Sequence, residues 1–139
     1  MSGNESRELL ERYVAEVWEK DNPDAVEEFA AETFQRHISP GAEPLDREAQ
    51  IERLKGFRAA FPDITIEVED VVIGDDLIAF RSTMRGTHRG EFLGIPATGR
   101  RVTVGLVDMV RIADGEFVEQ WGGPDMLDLA RQLGGRVEA

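Results

Sequence analysis

The residue types in this chain that could do chemistry are few, and the first is an aspartate in an unexpected place. Residues 102–112 read VTVGLVDMVRI, and at strand spacing Val102, Val104, Leu106, Asp108, Val110 and Ile112 share one face. A carboxylate among apolar neighbours is uncommon, because taking an ionised group out of water is costly unless it is paired. Desolvation disfavours the charged form and raises the pKa, which is how a carboxyl becomes useful for proton transfer near neutral pH. The structural alternative is an aspartate whose oxygens are satisfied by a neighbouring Arg or Trp, a network without chemistry. The dipeptide Asp114-Gly115 is a strong two-residue hairpin signal, so residues 116–121 return antiparallel beside Asp108. That register brings Asp108 near Gln120 or Gly122, a polar pair in a concave sheet, with Val118, Gln120 and Gly122 expected on one face and Phe117, Glu119 and Trp121 on the other.

The two histidines, His37 and His88, are the other titratable candidates. His37 ends a short strand-like run and reads either as a site residue or as a polar strand terminus touching water. His88 lies in the stretch 85–101, RGTHRGEFLGIPATGRR, where Gly86, Gly90, Gly94 and Gly99 punctuate the connection and Pro96 forbids a continuous ladder. This segment is expected to bend the sheet and to place His88 on the rim of a pocket. The spacing of the histidines matches no metal-ligand pattern, and the chain has no cysteine, so disulfides, thiol nucleophiles and thiolate metal sites are excluded. Neither a metal nor a cofactor is expected. Asp125 is expected in the first turn of the last helix, where an acid either serves the site or stabilises the helix dipole.

The elements that must position these groups follow from periodicity. Residues 6–20 carry Leu9, Leu10, Tyr13, Val14, Val17 and Trp18 at amphipathic-helix spacing. Asn22-Pro23 supplies an N-cap and first-turn proline for a short second helix with Ala25, Val26 and Phe29. Residues 33–38 alternate weakly as a strand and end at Ser39-Pro40-Gly41. Asp46 caps a third helix over 47–61, with Ile51, Leu54, Phe57 and Phe61 on one side and Pro62 as its stop. The period then changes to two: Ile64, Ile66 and Val68 alternate with polar residues, and Gly74-Asp75-Asp76 turns into 77–84, where Ile78, Phe80, Ser82 and Met84 face together. Pro124 is expected to start a last helix bearing Met126, Leu129, Ala130 and Leu133, closed by Gly134-Gly135. A run of helices followed by a run of strands indicates α+β, an antiparallel sheet curled over the helices, in one domain spanning 1–139.

Composition bounds the function classes. At 139 residues one core is expected, and no apolar run approaches the roughly 20 residues of a membrane span. The N-terminus lacks a secretory signal pattern, so a cytoplasmic location is expected. The net charge of −12 repels phosphate backbones and makes nucleic acid a poor partner. Only Lys20 and Lys55 are lysines. An acidic, lysine-poor surface suits concentrated salt, in which screening relieves carboxylate repulsion, although an ordinary acidic cytosolic protein reads the same way.

Several motifs together carry a resemblance: Phe61-Pro62-Asp63 before a strand, GTHRGEFLGIPATGRR, the Asp114-Gly115 turn with Glu119 and Trp121, and Asp125 leading to Arg131-Gln132-Leu133-Gly134. With these the chain resembles the SnoaL-like polyketide cyclases of the nuclear-transport-factor-2-like superfamily over nearly its whole length. The resemblance implies a cone-shaped α+β fold, a small-molecule pocket between concave sheet and helices, and a homodimer through the sheet. It also implies an acid/base pair for intramolecular aldol closure, an aspartate and a histidine, at positions that read Gly122 and Asp108 here. The second acid of the family motif is present as Asp125. The expected catalytic pair is therefore Asp108 with His37, and Gln120, Asp125, His88, Trp18 and Phe57 are expected to contact substrate. The expected activity is cofactor-independent acid/base chemistry of the cyclase, isomerase, dehydratase or hydrolase type on a small apolar carbonyl compound. A non-catalytic ligand-binding module and a dimeric interaction protein are the alternatives.

Overall fold

The structure is a computed structural model that describes residues 2–135. Helix α1 (Gly3–Tyr13) begins at Ser2, whose side chain accepts from the Glu5 amide, and runs on through a π-helical turn, Val14–Glu19. A 3₁₀ turn (Pro23–Ala25) leads into the short α2 (Val26–Phe29). Strand β1 (Ala30–His37) and helix α3 (Arg47–Ala60) follow. Then come β2 (Thr65–Ile73), β3 (Leu77–Thr87), β4 (Arg101–Ala113) and β5 (Glu116–Pro124), and last α4 (Met126–Gln132). The five strands form one sheet in the order β1-β5-β4-β3-β2. The result is an α+β fold in which the curved sheet wraps the helices.

Local chemistry explains most boundaries. Asp46 accepts from the Ala49 amide and starts α3. The Asp114-Gly115 turn has φ of 52° and 76°, the left-handed pair that a tight hairpin between right-twisted strands requires. Helix α4 closes with Gly134 at φ +85°, its amide reaching the Arg131 carbonyl while Gly135 reaches that of Ala130, so two otherwise orphaned carbonyls are satisfied.

Five expectations need correction. The first helix is not uniform: the Lys20 and Asn22 amides bond five residues back, to Ala15 and Val17, which widens the turn carrying Trp18. Asn22 makes no side-chain cap, and Pro23 alone sets the start of the 3₁₀ turn. Strand β1 starts at Ala30, earlier than its weak alternation indicates, and pairs parallel with β5, because the long connection between them imposes no hairpin direction. Strand β5 carries a bulge: Ile112 pairs with Phe117 but Arg111 with Glu119, so Phe117 and Gln120 both face inward and strict alternation fails. Pro124 ends β5 and does not begin the helix, which Asp125 caps.

The interior divides into two adjoining clusters. One gathers Leu9, Tyr13, Phe29, Phe34, Leu54, Ile78, Val110 and Phe117 from α1, α2, β1, α3 and the sheet. The other gathers Phe57, Phe61, Met84, Val102, Val104, Leu129 and Leu133 around the far end of α3 and under α4. Each fully buried side chain of this size contributes about 1.5–3 kcal/mol relative to exposure. Trp18 packs against both clusters, and the space between them is the candidate site.

Candidate functional site

A cavity opens where the two clusters meet. Its walls come from α1 and the π-helical turn (Tyr13, Val14, Trp18), from β1 (Arg36), from α3 (Gln50, Arg53, Leu54, Phe57), and from the inner sheet face (Phe80, Ser82, Met84, Leu106, Asp108, Gln120, Gly123). Its free volume is about 40 Å³, room for a few waters at about 10–15 Å³ each. A larger ligand must displace side chains to enter.

Asp108 projects from the middle of β4 into this space, only 4% exposed. Its Oδ1 accepts from Gln120 Nε2 at 3.1 Å and lies 3.3 Å from Arg36 Nη1. Both contacts fall on the same oxygen, and among the described residues no donor reaches Oδ2. Burial lifts the Asp108 pKa above its ordinary value, while Arg36, Gln120 and Arg53 pull the other way. Arg36, 2% exposed, also donates through Nη2 to the Gly122 carbonyl, at 2.5 Å. Burial likewise pushes the Tyr13 hydroxyl up to about 12, so it remains a proton donor at neutral pH.

Among the described residues, three buried polar atoms in these walls have no partner: Arg36 Nε, Gln50 Oε1 and Ser82 Oγ. Orphaned buried groups are rare and each carries a desolvation cost, so their concentration around one cavity points to a ligand or ordered water that completes them.

The structure places the candidate residues as follows. Asp108, Gln120, Trp18 and Phe57 line the cavity together. His37 does not partner Asp108: it faces the other side of the sheet, its Nε2 2.9 Å from Glu119 Oε2 and its ring stacked on Trp121 at 5.2 Å. Strand alternation gives the inward direction to Arg36 instead, in step with buried Phe34. His88 is fully buried away from the cavity and does not form its rim; its Nδ1 accepts from the Thr98 amide at 3.2 Å, and its ring packs on Phe61. Its loop docks on the end of α3, where the Arg89 and Gly90 amides reach the Ala60 carbonyl. Asp125 caps α4, accepting from the Asp128 amide, and is not among the cavity residues. Among the described residues no group of three or more His, Asp or Glu side chains is placed to share a metal ion.

Sequence reasoning missed Tyr13, Arg36, Gln50 and Arg53. A signal existed for three of them. Arg36 shares strand parity with Phe34, and Gln50 and Arg53 sit at helical spacing from Leu54 and Phe57 on the apolar side of α3. Tyr13 was legible only as a packing residue.

Gly122 and Gly123 explain how this geometry departs from an acid at position 122. Gly122 adopts φ +94°, and a Cβ there would meet the Val107 carbonyl oxygen at 2.0 Å. Gly123 adopts φ +133°, and a Cβ there would meet Arg36 Nη2 at 2.7 Å. The backbone leaves no place for side chains here, and Arg36 fills the space in front of it.

The model of the SnoaL-like polyketide cyclase family matches residues 8–133. Two aklanonic acid methyl ester cyclases, DauD from Streptomyces sp. (strain C5) and DnrD from Streptomyces peucetius, are each 26% identical to the chain over 133 residues. The match covers 90% of this chain in both cases, and 80% of DauD and 88% of DnrD. Among solved structures, TsrD from Streptomyces laurentii aligns with a TM-score of 0.86 at 29% identity, covering 98% of this chain and 99% of that one. AclR from Streptomyces galilaeus aligns with the same TM-score, 0.86, and identity, 29%, covering 96% of this chain and 98% of that one. The family model covers most of the chain and the fold agrees with these structures, and the chain belongs to the SnoaL-like polyketide cyclase family.

Proposed function

We propose that this protein is a cofactor-independent acid/base enzyme acting on a small, largely apolar carbonyl compound, with Asp108 as the proton-transferring group. The coarser reading, a small-molecule-binding protein of the cyclase type, rests on the family itself. The observation that carries the finer one is the asymmetry at Asp108: Gln120 and Arg36 hold Oδ1, while Oδ2 has no donor within reach. A fixed carboxyl with a raised pKa and one open oxygen is suited to take a proton from the carbon beside a carbonyl and return it to carbon or oxygen. That exchange serves cyclisation, isomerisation and dehydration alike. Arg36 in place of a histidine beside Asp108 means that the acid/base work falls on one carboxyl.

The test begins with a thermal-shift screen of polyketide-like and terpenoid carbonyl compounds, followed by turnover assays on the binders. Asp108→Asn is expected to lower kcat by roughly 10²–10⁴-fold, with the far-UV circular dichroism unchanged. Unchanged turnover in a folded variant sinks the acid/base reading.

A second reading has its own observation. The 3.3 Å contact between Arg36 and Asp108 is what a sequestering, non-catalytic pocket would also hold. In that case the screen yields ligands that bind wild type and Asp108→Asn without chemical change. For the whole particle we propose a cytoplasmic homodimer formed through the outer sheet face, which exposes Val107 and Met109 on β4; a monomer mass in sedimentation equilibrium would rule it out.

A further inference from the structure

We propose that Arg36 and Arg53 form an anion seat inside the cavity, so that the ligand is an apolar molecule bearing a planar oxyanion, a carboxylate or an ionised 1,3-dicarbonyl. The inference rests on the reading that this cavity binds a small molecule, and it specifies the charge of that molecule.

The charged groups in the cavity wall are two guanidiniums and one carboxylate. Arg36 uses Nη1 for Asp108 and Nη2 for the Gly122 carbonyl, and its Nε has no partner. Arg53 has neither a hydrogen bond nor an ion pair among the described residues; its guanidinium rests on the Phe57 ring, 5.0 Å from the centroid. The two guanidiniums converge on one point, since a methyl group at Gly123 would lie 2.7 Å from Arg36 Nη2 and 3.5 Å from Arg53 Nη2. Burying a guanidinium in a largely apolar wall is costly, and the like charge of Arg36 beside it adds to that cost. Both effects draw Arg53 down, to about 10, which still leaves it cationic at neutral pH. Glu91, the acid that shares an outer groove with Arg53, forms no ion pair with it. A protein of net charge −12 has many carboxylates with which to neutralise a guanidinium, yet among the described residues none stands within ion-pair distance of this cation, which feels Asp108 only across the cavity. Planar guanidinium donors match the two oxygens of a carboxylate or a 1,3-dicarbonyl anion. Gly123, which carries no side chain, lets both guanidiniums approach its backbone.

The remaining orphans line the same cavity. Gln50 lies one turn before Arg53 on the same face of α3, and its Oε1 accepts nothing, nor does Ser82 Oγ have a partner. Arg53 and Phe57 also line the outer groove with Gly56, Phe92 and Met126, so they form the partition that a ligand must displace on entry.

The experiment compares benzoate, cinnamate and 2-naphthoate with their methyl esters, by isothermal titration calorimetry at neutral pH. At least one carboxylate is expected to bind tenfold or more tightly than its ester. Arg53→Met, which keeps the aliphatic stem, is expected to abolish that preference, read as the ratio of carboxylate to ester affinity, and Arg53→Lys is expected to retain part of it. Asp108→Asn is expected to tighten the carboxylate, because it removes a like charge from the same wall. The proposal is overturned if no carboxylate outbinds its ester, or if Arg53→Met binds the carboxylate as wild type does. A lost preference with Asp108-dependent turnover intact removes only the anion seat. A retained preference with turnover indifferent to Asp108 removes only the acid/base reading.

Discussion

Removing the Arg36 guanidinium while keeping Asp108 would leave a carboxylate in the cavity wall with Gln120 as its sole close donor. Breaking a buried pair from one side costs about 3–5 kcal/mol, and Arg36→Met is expected to lose stability of that order in urea melts at neutral pH. The double variant Arg36→Met/Asp108→Asn is expected to recover most of it, because the carboxylate that Arg36 paired is then gone as well. The pair also fixes a pH dependence. The folded-state pKa of Asp108 is raised above its ordinary 3.8, so the native state binds its proton more tightly than the unfolded chain does. That contribution is fully present below 3.8 and is lost as pH rises through the folded value. Wild type minus Asp108→Asn, followed by denaturant melts across this window, is therefore expected to fall with increasing pH; a difference that rises would reverse the assigned shift. At this scale Asp108 was legible because it interrupts an apolar strand face. Its partner was misread as His37, because the alternation of residues 33–38 is weak and only the parity with Phe34 separates His37 from Arg36.

Elements hold the site through contacts between segments distant in sequence. Arg58, near the end of α3, donates to the Trp18 carbonyl at 2.5 Å and to the carbonyls of Pro62 and Ile64 at 3.3 Å, and its Nε pairs with Asp21 at 3.0 Å. It ties the π-helical turn that carries Trp18 to the helix that carries Gln50, Arg53 and Phe57. Arg58→Met is expected to cost roughly 1–3 kcal/mol in denaturant melts and to shift the Trp18 fluorescence, since the freed turn can relax toward α-helical spacing. A lysine is expected to restore little, having no planar fork to serve several carbonyls. Helices and strands were legible from their periods, and Asp46, Asp114-Gly115 and Gly134 act as local chemistry dictates. The bulge in β5 was not legible. Nothing in residues 116–121 marks Val118 as the unpaired position, and the choice follows from packing Phe117 against Tyr13 and Phe29 while Gln120 meets Asp108.

For the molecule as a whole the dominant quantity is charge. With 28 acidic residues against 16 basic ones, self-repulsion is expected to weaken the compact state at low ionic strength, and molar potassium chloride is expected to raise the urea midpoint. An unchanged midpoint would discard halophily. Among the described residues no helix is long and apolar enough to cross a membrane. By itself the sequence determined the fold class, the element order and the family, because periodicity, turn residues and the glycine-punctuated 85–101 connection are local signals that a linear chain carries openly. It also determined that Asp108 faces an apolar side. Only the tertiary structure decided what stands opposite: Arg36 and not His37 beside the carboxylate and, among the described residues, Arg53 without an ion pair and three unpartnered polar atoms around one small space. Those relations join β1, α3, β4 and β5 across the sheet and its helices. They are set by parallel pairing, a bulge and two positive-φ glycines, whose consequences appear only when distant segments pack together.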